Sequence, residues 1–299
     1  MISGRGATAH WGMGHAMCWP SGPKAACGLS EEGVVLTLYV LYFLTCFLAT
    51  TLGAISGIGG GVIIKPVMDA VPGMSVSAIS FLSGCTLIAM STVSLLRSRG
   101  GEVKLDPQQG TLLAVGSAAG GIAGKWLFDL AKSSFGNDSL VGAVQSVLMI
   151  LLTLGVLAYV LNMSRIRSLH VSGWGTCLCI GLALGVMGAF LGIGGGPINL
   201  AVLYYFFSMD SKTAALNSIY IILFSQTASF LSTVIQRRIP DFAPLSLVVM
   251  VAGGVLGGFV GRGFSKKMSS RQVDVLFRWA LILIAAISCY NLWKYAGRL

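Results

Sequence analysis

The stretch Gly57-Ile58-Gly59-Gly60-Gly61 returns 135 residues later as Gly192-Ile193-Gly194-Gly195-Gly196. The same register, without any gap, also pairs Met74 with Met209, Ser83 with Ser218 and Thr92 with Thr227. In a chain so rich in apolar residues, a few apolar positions match by chance. A five-residue block and several polar positions rarely match by chance in one register. The sequence therefore predicts two halves built on one plan.

Long apolar runs surround both glycine blocks. A helix needs about 20 apolar residues to cross a bilayer, and eight runs have roughly that length. They cover residues 34–58, 77–96, 111–130, 140–162, 173–193, 213–235, 243–264 and 273–293. Charged residues make up only 10% of the 299 residues, hydrophobic types make up 55%, and the mean hydropathy is +0.82. A soluble domain carries about 25% charged residues, so the composition predicts an all-α polytopic membrane protein.

Two apolar pieces, 61–71 and 196–207, each follow a glycine block and are too short to span a bilayer as helices. Segments of about 10–14 apolar residues are typical of re-entrant or interfacial structure. We therefore expect about eight transmembrane helices in two four-helix repeats, each with a glycine-broken re-entrant segment. Four spans per half would orient the halves alike, whereas a crossing by each short segment would invert them, and both topologies stay open.

The expected organisation has four parts. Residues 1–33 are rich in Gly, Ala, Ser and Pro and are expected to be a poorly ordered tail. The first transmembrane repeat covers 34–163, a basic link covers 164–172, and the second repeat covers 173–295. Within the third span of each half, glycine recurs every fourth residue, which predicts close helix packing. These stripes are Gly116, Gly120 and Gly124, and Gly253, Gly257 and Gly261.

The glycine blocks are the first candidate site. Each glycine costs a helix about 1 kcal/mol relative to alanine, so three together favour a break. A half-helix that starts after the break would aim unpaired amides and the positive end of its dipole at an anion. Small residues four apart can equally serve helix packing, so both interpretations stay open. The predicted binding glycines are Gly59, Gly60, Gly61, Gly194, Gly195 and Gly196.

Polar residues near the blocks complete the candidate site. Lys65 could supply a positive charge to the anion, or it could snorkel to the lipid headgroups with Asp69 as its ion-pair partner. Hydroxyl and amide groups could bind the anion or join helices to one another. The predicted hydrogen-bonding residues are Ser83, Asn217, Ser218 and Gln226.

Other chemistry is not indicated by the sequence. The seven cysteines and three histidines are scattered without ligand-like spacing, so neither a metal nor a cofactor is expected. The net charge of +10 comes from basic residues between apolar runs, where they act as topology signals rather than as a nucleic-acid surface. Without a nucleophile–base pair or cofactor motif, we expect the protein not to be an enzyme.

The two blocks resemble the paired signatures of the sulfite exporter TauE/SafE family. The first continues as Val62-Ile63-Ile64-Lys65-Pro66, the second as Pro197, and 77–84 also resembles the family. The resemblance covers about 34–295. It implies a multi-pass permease of the bacterial inner membrane, whose cargo is sulfite, sulfoacetate or a related organosulfonate. Ala201 stands where Pro66 would match, so the second block departs from the first.

The sequence thus predicts a secondary transporter for a small anion, embedded in a lipid bilayer. An anion channel and a membrane scaffold or assembly protein without transport activity remain alternatives. A homodimer is compatible with the sequence, which does not specify the oligomeric state.

Overall fold

A computed structural model describes residues 31–71, 74–98, 107–135, 138–166, 168–171 and 173–297. These residues form ten α-helices and a short 3-10 turn, and no β-strand occurs among them. The helices are α1 (Glu31–Ser56), α2 (Gly61–Ala70), α3 (Val76–Ser98), α4 (Pro107–Phe135), α5 (Asp138–Asn162), α6 (Trp174–Leu191), α7 (Gly196–Phe207), α8 (Ser211–Ile235), α9 (Pro244–Lys267) and α10 (Ser270–Ala296). Of the tail predicted at 1–33, residues 1–30 lie outside the described residues.

Eight of the helices are long and apolar enough to cross a membrane, which confirms the predicted polytopic protein. They are all the helices except α2 and α7. The outer surface carries large apolar side chains, and Leu36, Leu151 and Trp279 are more than 60% exposed to the surroundings. Lipid is the environment in which such a surface is stable.

The observed helices differ from the predicted spans mainly at their ends. The third span, predicted at 111–130, belongs to the longer helix Pro107–Phe135, because hydrophobicity marks only the part of a helix that lipid covers. The first span ends at Ser56 rather than Ile58, because the glycine turn begins there.

The glycine stripes produce the most extensive helix pairs, α4 with α6 and α1 with α9. A Cβ atom built on Gly120 would lie 2.1 Å from the carbonyl oxygen of Leu182. One built on Gly257 would lie 2.5 Å from the carbonyl oxygen of Phe47. Backbone touches backbone along both pairs, which confirms the predicted packing role of the stripes.

Two pairs of helices that correspond in the 135-residue register, α3 with α8 and α5 with α10, run in opposite directions. Phe81 of α3 stacks on Phe230 of α8 at 5.7 Å, whereas Gly84, further along α3, faces the earlier residue Gln226. Likewise, Gly142 near the start of α5 packs against Tyr295 near the end of α10. The pairs α3–α8 and α5–α10 are therefore antiparallel.

Candidate functional site

Both glycine blocks interrupt their helices, as the sequence predicts. Between α1 and α2 the chain passes through Gly57 and Gly59 with φ values of 79° and 76°. Between α6 and α7 it passes through Gly192, Gly194, Gly195 and Gly196, with φ values from 46° to 98°. Residues with a Cβ atom rarely adopt these conformations, so glycine is what makes each turn possible.

At each break the chain folds back against the helix that it has just left. A Cβ built on Gly53 would lie 2.4 Å from the amide nitrogen of Gly60. In the second half, a Cβ on Gly188 would lie 2.5 Å from the amide nitrogen of Gly195. The chain can therefore pack this closely at the starts of α2 and α7 only because Gly53 and Gly188 have no side chain.

The two breaks contact each other near the middle of α3 and α8. A Cβ on Gly61 would lie 2.8 Å from the carbonyl oxygen of Ile193, and one on Gly196 would lie 2.1 Å from Cγ2 of Val62. The side chains of Leu87 and Ile222 cover the glycines. Atom Cδ1 of Ile222 lies 2.8 Å from the Cβ position of Gly59, and Cδ1 of Leu87 lies 2.9 Å from that of Gly194. The structure thus brings the predicted glycines together, with aliphatic side chains against them.

A polar cavity lies beside the second break, and we name it the Gln226 cavity. It has a volume of about 30 Å³ and is formed by α3, α4, α6 and α8 together with Gly192. Its lining consists of Ser80, Phe81, Gly84, Cys85, Lys125, Phe128, Ala189, Gly192, Gln226, Ser229, Phe230 and Thr233. The Oγ atom of Ser80 and the Nε2 atom of Gln226 are buried and have no hydrogen-bond partner among the described residues. Lys125 supplies the one charge in this lining, so the cavity presents donors without a carboxylate.

A basic vestibule adjoins this cavity and shares Lys125 with it. The vestibule is lined by Ser77, Lys125, Asp129, Lys132, Ser133, Arg238 and Pro240. Asp129 pairs with Lys125 at 3.1 Å and lies 3.7 Å from Arg238, and Lys132 donates to Ser77 at 2.8 Å. Three cations and one carboxylate leave an excess of positive charge. Sequence reasoning treated Lys132 and Arg238 only as topology signals, because no spacing relates them.

A second polar cavity surrounds Lys65, and we name it the Lys65 cavity. It holds about 20 Å³ and is lined by Lys65, Pro66, Asp69, Gln145, Ser146, Met149, Leu191, Ser288 and Asn291. Lys65 is only 4% exposed, and its ammonium group pairs with Asp69 at 2.8 Å. The expected pairing with Asp69 is therefore present, but the lysine is buried rather than extended toward lipid headgroups.

The remaining predicted residues occupy different places. The hydroxyl group of Ser218 donates to the carbonyl oxygen of Gly57 at 2.6 Å, whereas the buried hydroxyl of Ser83 has no partner among the described residues. Asn217 donates to the carbonyl oxygen of Thr213 and lies beside Gly110 of α4. Thus Ser218 touches a break and Gln226 lines a cavity, while Asn217 belongs to the packing of α8 on α4.

Sequence reasoning missed Asn199, on the first turn of α7. Its side chain is fully buried, and neither Oδ1 nor Nδ2 has a partner among the described residues. Oδ1 lies 2.5 Å from the Cβ position of Gly195, so the amide covers the second break. One signal was available in the sequence, since the matching position in the first half holds the aliphatic Ile64.

Eight apolar helices, interrupted elements and buried polar cavities define a multi-pass membrane protein of the transporter class. The family model described as sulfite exporter TauE/SafE matches residues 42–288, and the chain belongs to this family. The chain is 23% identical over 280 residues to "Probable membrane transporter protein YunE" of Bacillus subtilis (strain 168). That match covers 85% of this chain and 98% of the relative. No solved structure matches the chain.

Proposed function

We propose that the protein is a secondary transporter for a small anion, such as sulfite, sulfoacetate or a related organosulfonate. The observation that carries this proposal is the Gln226 cavity, which sets unpaired donors beside a glycine break and next to a basic vestibule. Sulfite and sulfonate groups offer oxygen acceptors and a negative charge. Walls with an excess of positive charge also concentrate anions near them and speed the arrival of an anion.

Four side chains could bind the anion, together with backbone amides. Ser80 and Gln226 would donate through the unpaired Oγ and Nε2 atoms, and Lys125 would supply the charge. Asn199 could donate from its unpaired amide when the anion moves to the start of α7, where the helix dipole favours negative charge. In this proposal Gly195 and Gly196 contribute backbone amides at the start of α7, whereas the predicted amide of Gly194 already donates to the carbonyl oxygen of Gly188 at 3.1 Å.

The two halves act in this proposal as inverted repeats, each with a re-entrant arm, α1–α2 or α6–α7. The antiparallel pairs α3–α8 and α5–α10 support inversion. The corresponding residues are in close contact in both halves: a Cβ on Gly192 would lie 2.6 Å from Oγ of Ser80, and one on Gly57 would lie 2.2 Å from Cα of Ala215. Inverted repeats with interrupted helices are typical of carriers that alternate between the two sides of a membrane.

Purified protein in liposomes tests the proposal directly. Labelled sulfite or sulfoacetate should enter faster than into empty liposomes. Gln226→Leu, which removes the unpaired donor, should reduce uptake about tenfold or more, because a lost hydrogen bond to a charged group costs about 1.5–3 kcal/mol. The control Gln236→Leu changes an exposed glutamine on the turn after the same helix and should leave uptake unchanged. Flux equal to that of empty liposomes across a panel of anions would refute anion transport.

Two alternatives predict different results. An anion channel would give steady single-channel currents. In a channel, unlabelled anion inside the liposomes would not speed the uptake of labelled anion from outside, as it does in a carrier. A scaffold without transport activity would bind no anion, so added anions would not change the melting temperature of the detergent-solubilised protein. A transporter's anion should raise that temperature, because a ligand that binds only the folded state stabilises it.

A further inference from the structure

Lys65 and Asp69 form a buried ion pair whose side chains are 4% and 6% exposed. Taking two charges out of water costs desolvation free energy that their attraction often fails to repay. Ionisable residues inside a membrane are therefore a sign of function rather than of stability. Because Asp69 is acidic, a role in anion binding alone does not explain why it lies here.

The oxygen atoms around this pair lack donors. Among the described residues, Asp69 Oδ1, Gln145 Oε1, Ser288 Oγ and Asn291 Oδ1 are buried without a hydrogen-bond partner, and all four residues line the Lys65 cavity. The amide orientations are fixed, because Nε2 of Gln145 donates to the Phe190 carbonyl and Nδ2 of Asn291 to the Pro66 carbonyl, each at 2.7 Å. An ionised carboxylate only accepts hydrogen bonds, whereas a protonated one carries an O–H donor. The amide oxygens of Gln145 and Asn291 are therefore acceptors that only the protonated form of Asp69 can use, whereas the Ser288 hydroxyl can donate or accept.

Gly192 brings this pair next to the proposed anion site. A Cβ built on Gly192 would lie 2.6 Å from Oγ of Ser80, which lines the Gln226 cavity, and 3.4 Å from Cε of Lys65. The lysine stem thus reaches the wall that separates the two cavities. An anion at Gly192 could attract the Lys65 ammonium group away from Asp69.

We propose that Asp69 binds the proton that this carrier moves together with its anion, an inference that rests on the proposed anion transport. The anion takes the Lys65 ammonium group as its counter-ion, and Asp69 is left as a buried carboxylate without a partner. A proton from water then binds Oδ1 of Asp69, and the resulting O–H donates to the unpaired amide oxygens. The Lys65 cavity, of about 20 Å³, is large enough to admit one water molecule, which would hand the proton to Asp69 in this scheme.

The charges balance in this scheme. One negative charge and one proton enter together, Lys65 stays protonated, and the buried site keeps the same net charge. Besides Lys65, the charged group beside Asp69 is Lys294 of α10, which donates to the carbonyl oxygens of Asp69 and Ala70. The neighbouring α1, α3 and α7 carry no Asp, Glu, Lys, Arg or His at 33–56, 76–96 and 196–207. From α5 and α6 the cavity receives only uncharged residues.

The test uses liposomes that carry the purified protein in their membrane, with labelled methanesulfonate added outside. Methanesulfonate is a monovalent anion whose charge does not vary near neutral pH. An alkaline interior should drive accumulation of about tenfold per pH unit, because a proton moves with each anion. A membrane potential alone should drive none, since the pair carries no net charge. Asp69→Asn should abolish this accumulation but retain exchange of labelled for unlabelled anion.

The outcomes separate the two proposals. If the unmodified protein moves no anion in any liposome, the proposed function fails. If the unmodified protein moves methanesulfonate but does not respond to the pH gradient, only the proton inference is overturned. The proton inference is also overturned if Asp69→Asn still accumulates the anion. The control Asp241→Asn removes an exposed carboxylate before α9 and should accumulate anion normally.

Two further measurements apply if Asp69→Asn does not insert. The unmodified protein should remove one proton from the bath for each anion taken up, as read by a pH dye in the bath. The double variant Lys65→Met with Asp69→Leu replaces the pair by apolar side chains of similar volume, which proteins often tolerate. It should lose all response to the pH gradient, and a retained response would overturn the inference.

Discussion

The hydroxyl group of Ser218 on α8 donates a 2.6 Å hydrogen bond to the carbonyl oxygen of Gly57, and it thereby holds the first glycine break against α8. Ser218→Ala would leave that buried carbonyl unpaired, at a cost of about 1–3 kcal/mol. The melting temperature in detergent should fall. Ser83→Ala, at the matching position, removes a buried hydroxyl without a partner among the described residues, and should leave the melting temperature unchanged or raise it. Equal losses in both variants would contradict this assignment.

Gly188 should tolerate no side chain, because a Cβ there would lie 2.5 Å from the amide nitrogen of Gly195 and 2.8 Å from the carbonyl carbon of Gly194. Gly188→Ala should destabilise the fold by about 1–3 kcal/mol through overpacking and should reduce flux. The matched control is Gly155→Ala in α5, where an added Cβ meets nothing within 4 Å. This control should gain up to about 1 kcal/mol from helix propensity and transport normally. Melting temperatures and anion flux are measured for both variants, and a Gly188→Ala protein as stable and active as the unmodified one would contradict the prediction.

Asn199 should matter for transport and not for stability. Asn199→Ile gives the second half the residue that the first half holds at Ile64. Removing a buried amide without a partner should leave the melting temperature of the ligand-free protein unchanged or higher, because its desolvation cost disappears. Anion flux should fall about tenfold, measured in liposomes. The reciprocal variant Ile64→Asn buries a new amide and should lower the melting temperature. Loss of stability in Asn199→Ile would show a structural role instead.

The basic vestibule should set how fast anions arrive. Lys132→Gln combined with Arg238→Gln removes two of its three cations. At low ionic strength the rate of uptake at limiting anion concentration should fall several-fold, and its dependence on salt should weaken, because exposed charges are screened. The exposed pair Lys266 and Lys267 at the end of α9 provides the control. Changing both lysines to glutamine should alter neither the uptake rate nor its dependence on salt. If this control lowers the uptake rate as much as the vestibule variant does, the effect comes from the overall charge of the protein and not from the vestibule.

The fold was largely predictable because lipid imposes strict rules on sequence. A bilayer fixes the length and apolar character of each span, so α3 and α5 could be located from hydrophobicity alone. The breaks were predictable for a separate reason, since the left-handed conformations at Gly57 and Gly194 need glycine. The glycine stripe at Gly120 was predictable because close helices need small residues.

The cavities were not predictable in the same way. The Gln226 cavity draws its lining from four helices that are far apart in sequence, and packing rather than periodicity brings Lys125 to Gln226. Leu87 and Ile222 read as ordinary apolar residues of their spans, so their position over the glycines was invisible. Lys65 and Asp69 were recognisable as a pair, but the amide oxygens of α5 and α10 that surround them were not.

Leu87 and Ile222 also bear on how a cell keeps its membrane energised. Any continuous thread of water through the protein would let ions run down the gradients on which secondary transport depends. Both side chains are fully shielded from solvent, and they lie against the glycine turns of both halves where the chain is otherwise bare. If the proposed transport holds, we expect these two branched aliphatic side chains to keep water out of the turns, and smaller residues at Leu87 and Ile222 to let ions leak without cargo.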